Sequence, residues 1–111
     1  MRKICPCAVE ATVTLIGNKW RILIIRDLID GTKRFNELQR SVGGISQKVL
    51  TENLRILEEH GLVDRKVYNE IPPRVEYSLT ETGMSLEPMI AFMKQWGKEY
   101  LESRKIEEWH T

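Results

Sequence analysis

The chain has 111 residues, 41% of them hydrophobic and 30% charged, and its 17 Lys/Arg against 16 Asp/Glu leave a net charge of +1. That length suits one domain with its own core, and charges that nearly cancel argue against a disordered chain. Uninterrupted apolar runs are as short as residues 22–25, too short to span a membrane. The start, Met1-Arg2-Lys3-Ile4-Cys5, lacks a signal peptide's apolar run, so a cytoplasmic protein is expected.

The charge is uneven. Residues 17–66 carry ten Lys/Arg and seven Asp/Glu, whereas residues 81–111 carry four and six. The middle of the chain is mildly basic, which suits a polyanionic partner better than the total implies.

In chain order, Val9, Val13 and Ile16 recur at helical spacing and predict a first helix over 8–16. Asn18 is a good N-cap for a second helix from residue 19 to about 29. Trp20, Ile22, Leu23, Ile24, Ile25 and Leu28 make that helix apolar almost all round, the mark of a buried central element. Phe35, Leu38 and Val42 predict a short third helix, and Gly43-Gly44 a turn. Ser46 then caps a fourth helix that runs to about His60, with Ile45 set to staple onto Leu50 and Gly61 as the stop. Residues 62–68 and 75–79 read as two strands, with Pro72-Pro73 breaking the ladder at the tip between them. Thr80 caps a last helix expected over 81–105, roughly 35–40 Å long at 1.5 Å per residue. That length exceeds what so small a core needs. The surplus apolar stripe of Leu86, Met89, Ile90, Met93, Trp96 and Tyr100, with Val9 and Val13, is assigned to a partner subunit.

These elements describe a mainly α protein with a small β-hairpin (α+β): a winged helix-turn-helix with a long C-terminal dimerisation helix. One domain spans 1–111, with the helix-turn-helix at 34–60 and the wing at 62–79.

The fourth helix turns Leu50, Leu54 and Leu57 to one side and Gln47, Lys48, Thr51, Glu52 and Arg55 to the other. The polar row suits a major groove. Glutamine bonds adenine in bidentate fashion, Lys and Arg meet guanine, and a threonine methyl meets that of thymine. Ser46 and the first-turn N–H groups suit phosphate. Arg74 at the wing tip and Arg65 and Lys66 at its base are candidates for the DNA backbone or a minor groove, and Lys33 and Arg34 before the third helix are candidates for phosphate contacts. The rival reading is a winged-helix module for protein–protein interaction without sequence-specific DNA binding. An enzyme is not expected, because no Ser/His/Asp constellation, phosphate loop or metal motif is present. His60 and His110 are too far apart in sequence for a recognised zinc pattern, and no metal or cofactor is expected.

The chain resembles the HxlR family of bacterial transcriptional regulators, a winged-helix group akin to the MarR type. The matching words are Ile16-Gly17-Asn18-Lys19-Trp20, Lys33-Arg34-Phe35-Asn36-Glu37-Leu38, Gly44-Ile45-Ser46-Gln47-Lys48-Val49-Leu50-Thr51, Leu57-Glu58 to Gly61-Leu62-Val63, and Pro72 to Thr80, with Trp96-Gly97. The resemblance implies a homodimer, joined through the first and last helices, on pseudo-palindromic operator DNA. It implies activation in some members and repression in others, and in some a response to oxidants or electrophiles through an N-terminal cysteine. Cys5-Pro6-Cys7 offers two candidates. Cys7 lies nearest the family position but is followed by Ala8, whereas Cys5 has the proline two residues early. The start of a helix, where the macrodipole favours an anionic sulfur, points to Cys7.

Overall fold

The structure is a computed structural model that describes residues 7–104. Its centre is helix α2 (Lys19–Ile29), which packs against α1 (Ala8–Ile16), α3 (Phe35–Val42), α4 (Gln47–Glu59), strand β3 (Arg74–Leu79) and α6 (Glu87–Ser103). Asn18 starts it as expected. Its Oδ1 accepts from the N–H of Trp20 at 2.7 Å and of Arg21 at 3.3 Å, satisfying two of the donors that every helix start leaves open. Ile24, Ile25 and Leu28 are buried and join Leu38, Leu50, Leu54, Leu57 and Val63 in one core.

Polar side chains between those apolar positions tie α2 to both helices of the helix-turn-helix. The carboxylate of Asp27, 8% exposed, accepts from Arg26 Nε at 2.7 Å and from Ser41 Oγ of α3 at 2.8 Å. Arg21 Nη1 donates to Oδ1 of Asn53 on α4 at 3.2 Å, and Asn53 Nδ2 donates to the Val49 carbonyl at 2.8 Å. A buried polar group needs such partners, because leaving it unpaired costs about 1–3 kcal/mol.

The third and fourth helices are joined through Gly43 and Gly44, both at positive φ (76° and 71°), where a side chain would be strained. Ser46 Oγ accepts from the N–H of Val49 at 3.1 Å and opens α4. Gly61, at φ 75°, closes it. The Leu62 N–H reaches the Leu57 carbonyl at 2.9 Å and the Gly61 N–H reaches Glu58 at 3.0 Å, a Schellman ending.

The wing has three strands where the sequence predicts two. β1 (Lys33–Arg34), β3 and β2 (Val63–Tyr68) form an antiparallel sheet in the order β1-β3-β2. Two residues are too few to show alternation, so β1 is visible only through its partner. The long ladder ends at Tyr68 opposite Arg74, and Pro72-Pro73 lies in the loop beyond it.

The single helix expected over 81–105 is also revised. Thr80 Oγ1 accepts from the Gly83 N–H at 3.0 Å and caps only α5 (Glu81–Met84). The chain bends at Ser85–Leu86, and α6 then runs from Glu87 to Ser103. Two residues account for the break. Gly83 packs so close to the Leu62 carbonyl that a Cβ would overlap it, and Pro88, which has no N–H, suits a first turn and not a helix interior. The 17 residues of α6 span about 25 Å, so length alone no longer argues for a partner.

Candidate nucleic-acid interface

Helix α4 presents its two faces as the spacing predicts. Leu50, Leu54 and Leu57 are buried, whereas Gln47, Lys48, Thr51, Glu52 and Arg55 are exposed. Gln47, Lys48, Thr51 and Glu52, with Phe35 from the start of α3, line an open depression of about 550 Å³. Arg55 lies beyond it and meets Glu59 one turn on at 3.4 Å, both side chains well exposed. A pair so open to water is weak, so Arg55 remains available to a base or phosphate. Ser46 Oγ serves as the cap. Asn53 is the α4 residue that the polar-row reading passes over. It falls between Leu50 and Leu57 on the buried side, and helical spacing alone assigns it there.

The cations assigned singly to the wing divide between the two faces of the sheet. Residues directly opposite one another on antiparallel strands share a face. Arg34 and Lys66 both lie opposite Glu76, and Tyr68 opposite Arg74, so these five occupy one face. Lys33 and Arg65 both lie opposite Tyr77, which is buried, and occupy the other. Arg74 is far from a free cation. Its guanidinium lies 3.9 Å from the Tyr68 ring centroid, its Nη2 is 3.2 Å from Glu70 and its Nε 3.6 Å from Glu76. Lys66 Nζ also sits 4.9 Å from the Tyr68 ring. The loop beyond Arg74 carries Ile71, fully exposed at the tip.

A buried three-helix platform, a capped helix with a polar outer row and a three-stranded wing are the parts of a winged helix-turn-helix. The family model of the HxlR-like helix-turn-helix matches residues 15–105. The chain belongs to that family. It is an HxlR-type transcriptional regulator, not an enzyme. Among its relatives is the uncharacterized HTH-type transcriptional regulator YdeP of Bacillus subtilis, 51% identical over 94 residues, which span 85% of this chain and 73% of YdeP. Among solved structures, the redox regulator HypR in its oxidized form is 50% identical, with a TM-score of 0.79, over 84% of this chain and 96% of that one. Its reduced form is 49% identical, with a TM-score of 0.82, over 87% and 99%.

This HxlR-type chain divides the apolar stripe assigned to a partner subunit. Leu86, Met89 and Ile90 are partly buried and pack on the chain's own core. Val9, Val13, Met93, Trp96 and Tyr100 are exposed, and so is Phe92, which the stripe as read from the sequence omits. Phe92, Trp96 and Tyr100 are four residues apart and share one face of α6; the Trp96 and Tyr100 rings stack at 5.4 Å. Cys7 is the N-cap residue of α1 and is exposed; Cys5 and His110 lie outside the described residues. Among the described residues no group of three or more His, Cys, Asp or Glu is placed to hold a metal, and no helix is long and apolar enough to cross a membrane.

Proposed function

We propose that this regulator acts in the cytoplasm as a homodimer that binds pseudo-palindromic double-stranded operator DNA in a sequence-specific way. The observation that carries the reading is the row Gln47, Lys48, Thr51 and Arg55, exposed on a capped helix that buried leucines hold from behind. In this reading α4 enters the major groove and those four side chains meet base edges. Ser46 and the first-turn N–H groups approach phosphate, and the wing cations meet the backbone or minor groove. The exposed face of Val9, Val13, Phe92, Met93, Trp96 and Tyr100 joins α1 and α6 to a second copy. Two α4 helices then address half-sites about one helical turn apart, roughly 34–36 Å.

The similarity to HypR, solved as a redox regulator in oxidized and reduced forms, supports a redox response here. Its position as the N-cap of α1, one of the two helices assigned to the dimer, supports Cys7 as the sensing residue. Oxidation or alkylation of Cys7 would move α1, alter the contact between subunits and so change half-site spacing.

Selection of bound duplexes from a random pool, with and without oxidant and repeated with Cys7→Ser, tests these points together. The expected result is a two-fold symmetric sequence whose binding weakens steeply with salt and whose spacing responds to oxidant only while Cys7 is present. Binding to duplex DNA that ignores salt would favour the interaction module instead, and an unchanged response in Cys7→Ser would remove the cysteine from the scheme. Trp96→Asp is expected to yield monomers in sedimentation; a surviving dimer would place the interface elsewhere.

A further inference from the structure

The outer face of the wing sheet sets cations around a carboxylate. Glu76 lies between Arg34 of β1 and Lys66 of β2 in register, and its carboxylate is 3.6 Å from Arg74 Nε. Glu70, from the loop before β3, takes Arg74 Nη2 at 3.2 Å. The Tyr68 ring backs the guanidinium, whose central carbon lies 3.9 Å from the ring centroid. The side chain of Arg74 is 28% exposed, and its enclosed Nε has no hydrogen-bond partner among the described residues, since 3.6 Å is too long for one. Arg74 is therefore held by charge on two sides while one N–H donor stays unsatisfied.

We propose that Glu70 and Glu76 are specificity determinants: they hold Arg74 back from DNA until a correctly placed operator phosphate displaces them. The proposal rests on the DNA-binding reading above. A phosphate offers the same kind of acceptor as a carboxylate, and it can also satisfy the enclosed Nε. The exchange requires that the phosphate reach the guanidinium on the side not covered by the Tyr68 ring. On an operator, seating α4 in the major groove places the wing over one backbone position. On unrelated DNA the wing finds no fixed phosphate, and the carboxylates keep Arg74. The two acids thus weaken the sequence-independent part of binding, which phosphate contacts supply. Discrimination gained by weakening the wrong complex is as effective as strengthening the right one.

The test compares the full chain with Glu76→Gln, which keeps shape and removes charge, on a random-sequence duplex and on the selected operator across a salt series. On random duplex Glu76→Gln is expected to bind about two- to fivefold more tightly, the worth of a partly exposed ion pair. Its plot of log affinity against log salt should steepen by about 0.9, one further phosphate neutralised, and the operator-to-random ratio should fall. In the Arg74→Ala background the same change should do nothing, and Glu87→Gln, an equal loss of charge at the start of α6, should leave random-duplex binding unchanged. A gain that persists without Arg74 overturns the proposal, as does unchanged or weaker random-duplex binding; weaker binding is what a purely structural Glu76 would give. If thermal melting shows Glu76→Gln unfolded, Glu70→Gln, which alters the more exposed partner, is read in the same way. Should the unaltered chain bind no duplex at all, the DNA-binding reading itself fails; if it binds and the variants do not tighten, only this inference falls.

Discussion

In the proposed DNA complex the outer row of α4 and the outer face of the wing would both offer polar side chains, yet they are prepared differently. On α4, Gln47, Lys48, Thr51 and Arg55 are exposed, and among the described residues only a weak contact from Arg55 to Glu59 engages the last of them. On the wing, Arg74 is already engaged by an aromatic ring and two carboxylates. The helix is fixed from behind and open in front. A base edge need only replace water, whereas a phosphate at Arg74 must displace a partner. Whether a cation in a suggestive place can serve as a DNA contact depends on its neighbours.

The largest effect tests the support behind the row. Leu54→Ala is expected to destabilise the fold by about 2–5 kcal/mol, because it opens a cavity where Leu54 is 2% exposed. Thermal unfolding measures this, and a loss below 1 kcal/mol, the scale of a surface change, would mean that α4 is not held as described. Next, Arg55→Ala should cost ~1–3 kcal/mol on the operator and relax preference at one base position. A loss equal across all sequences would move Arg55 to the phosphate class and blur the contrast with the wing. The smallest effect belongs to Arg74→Ala. Operator affinity should fall by no more than about 1 kcal/mol with the preferred bases unchanged, and the salt dependence should flatten by roughly one phosphate. A changed base preference would make the wing a reader of sequence and erase the distinction.

How much of this was legible in the chain follows from the range of the interactions. Helix α4 was legible because its determinants are neighbours: Ser46 caps it, leucines recur every three or four residues, and Gly61 ends it. Asn18 and α2 were legible in the same way. The polar ties of α2 were not, because Arg21 finds Asn53 32 residues away and Asp27 finds Ser41 14 residues away. The last helix is legible only in part. Thr80 and the apolar stripe predict one continuous element; Pro88 is a local signal against it, whereas the close packing of Gly83 on the Leu62 carbonyl joins segments remote in sequence.

By itself, the sequence determined the order of the first four helices and the two long wing strands, the caps of α2 and α4, the stop of α4, its inward and outward faces and the words shared with the HxlR family. These depend on backbone hydrogen bonds and side-chain spacing within a few residues. Only the tertiary structure decided that Lys33 and Arg34 join the wing, that Arg74 is engaged by Glu70, Glu76 and Tyr68, and that Met89 and Ile90 serve the core while Phe92 and Trp96 stay exposed. Those outcomes rest on strand register and on which helix face meets α2. Both are set when distant segments pack, and spacing along the chain carries no record of them.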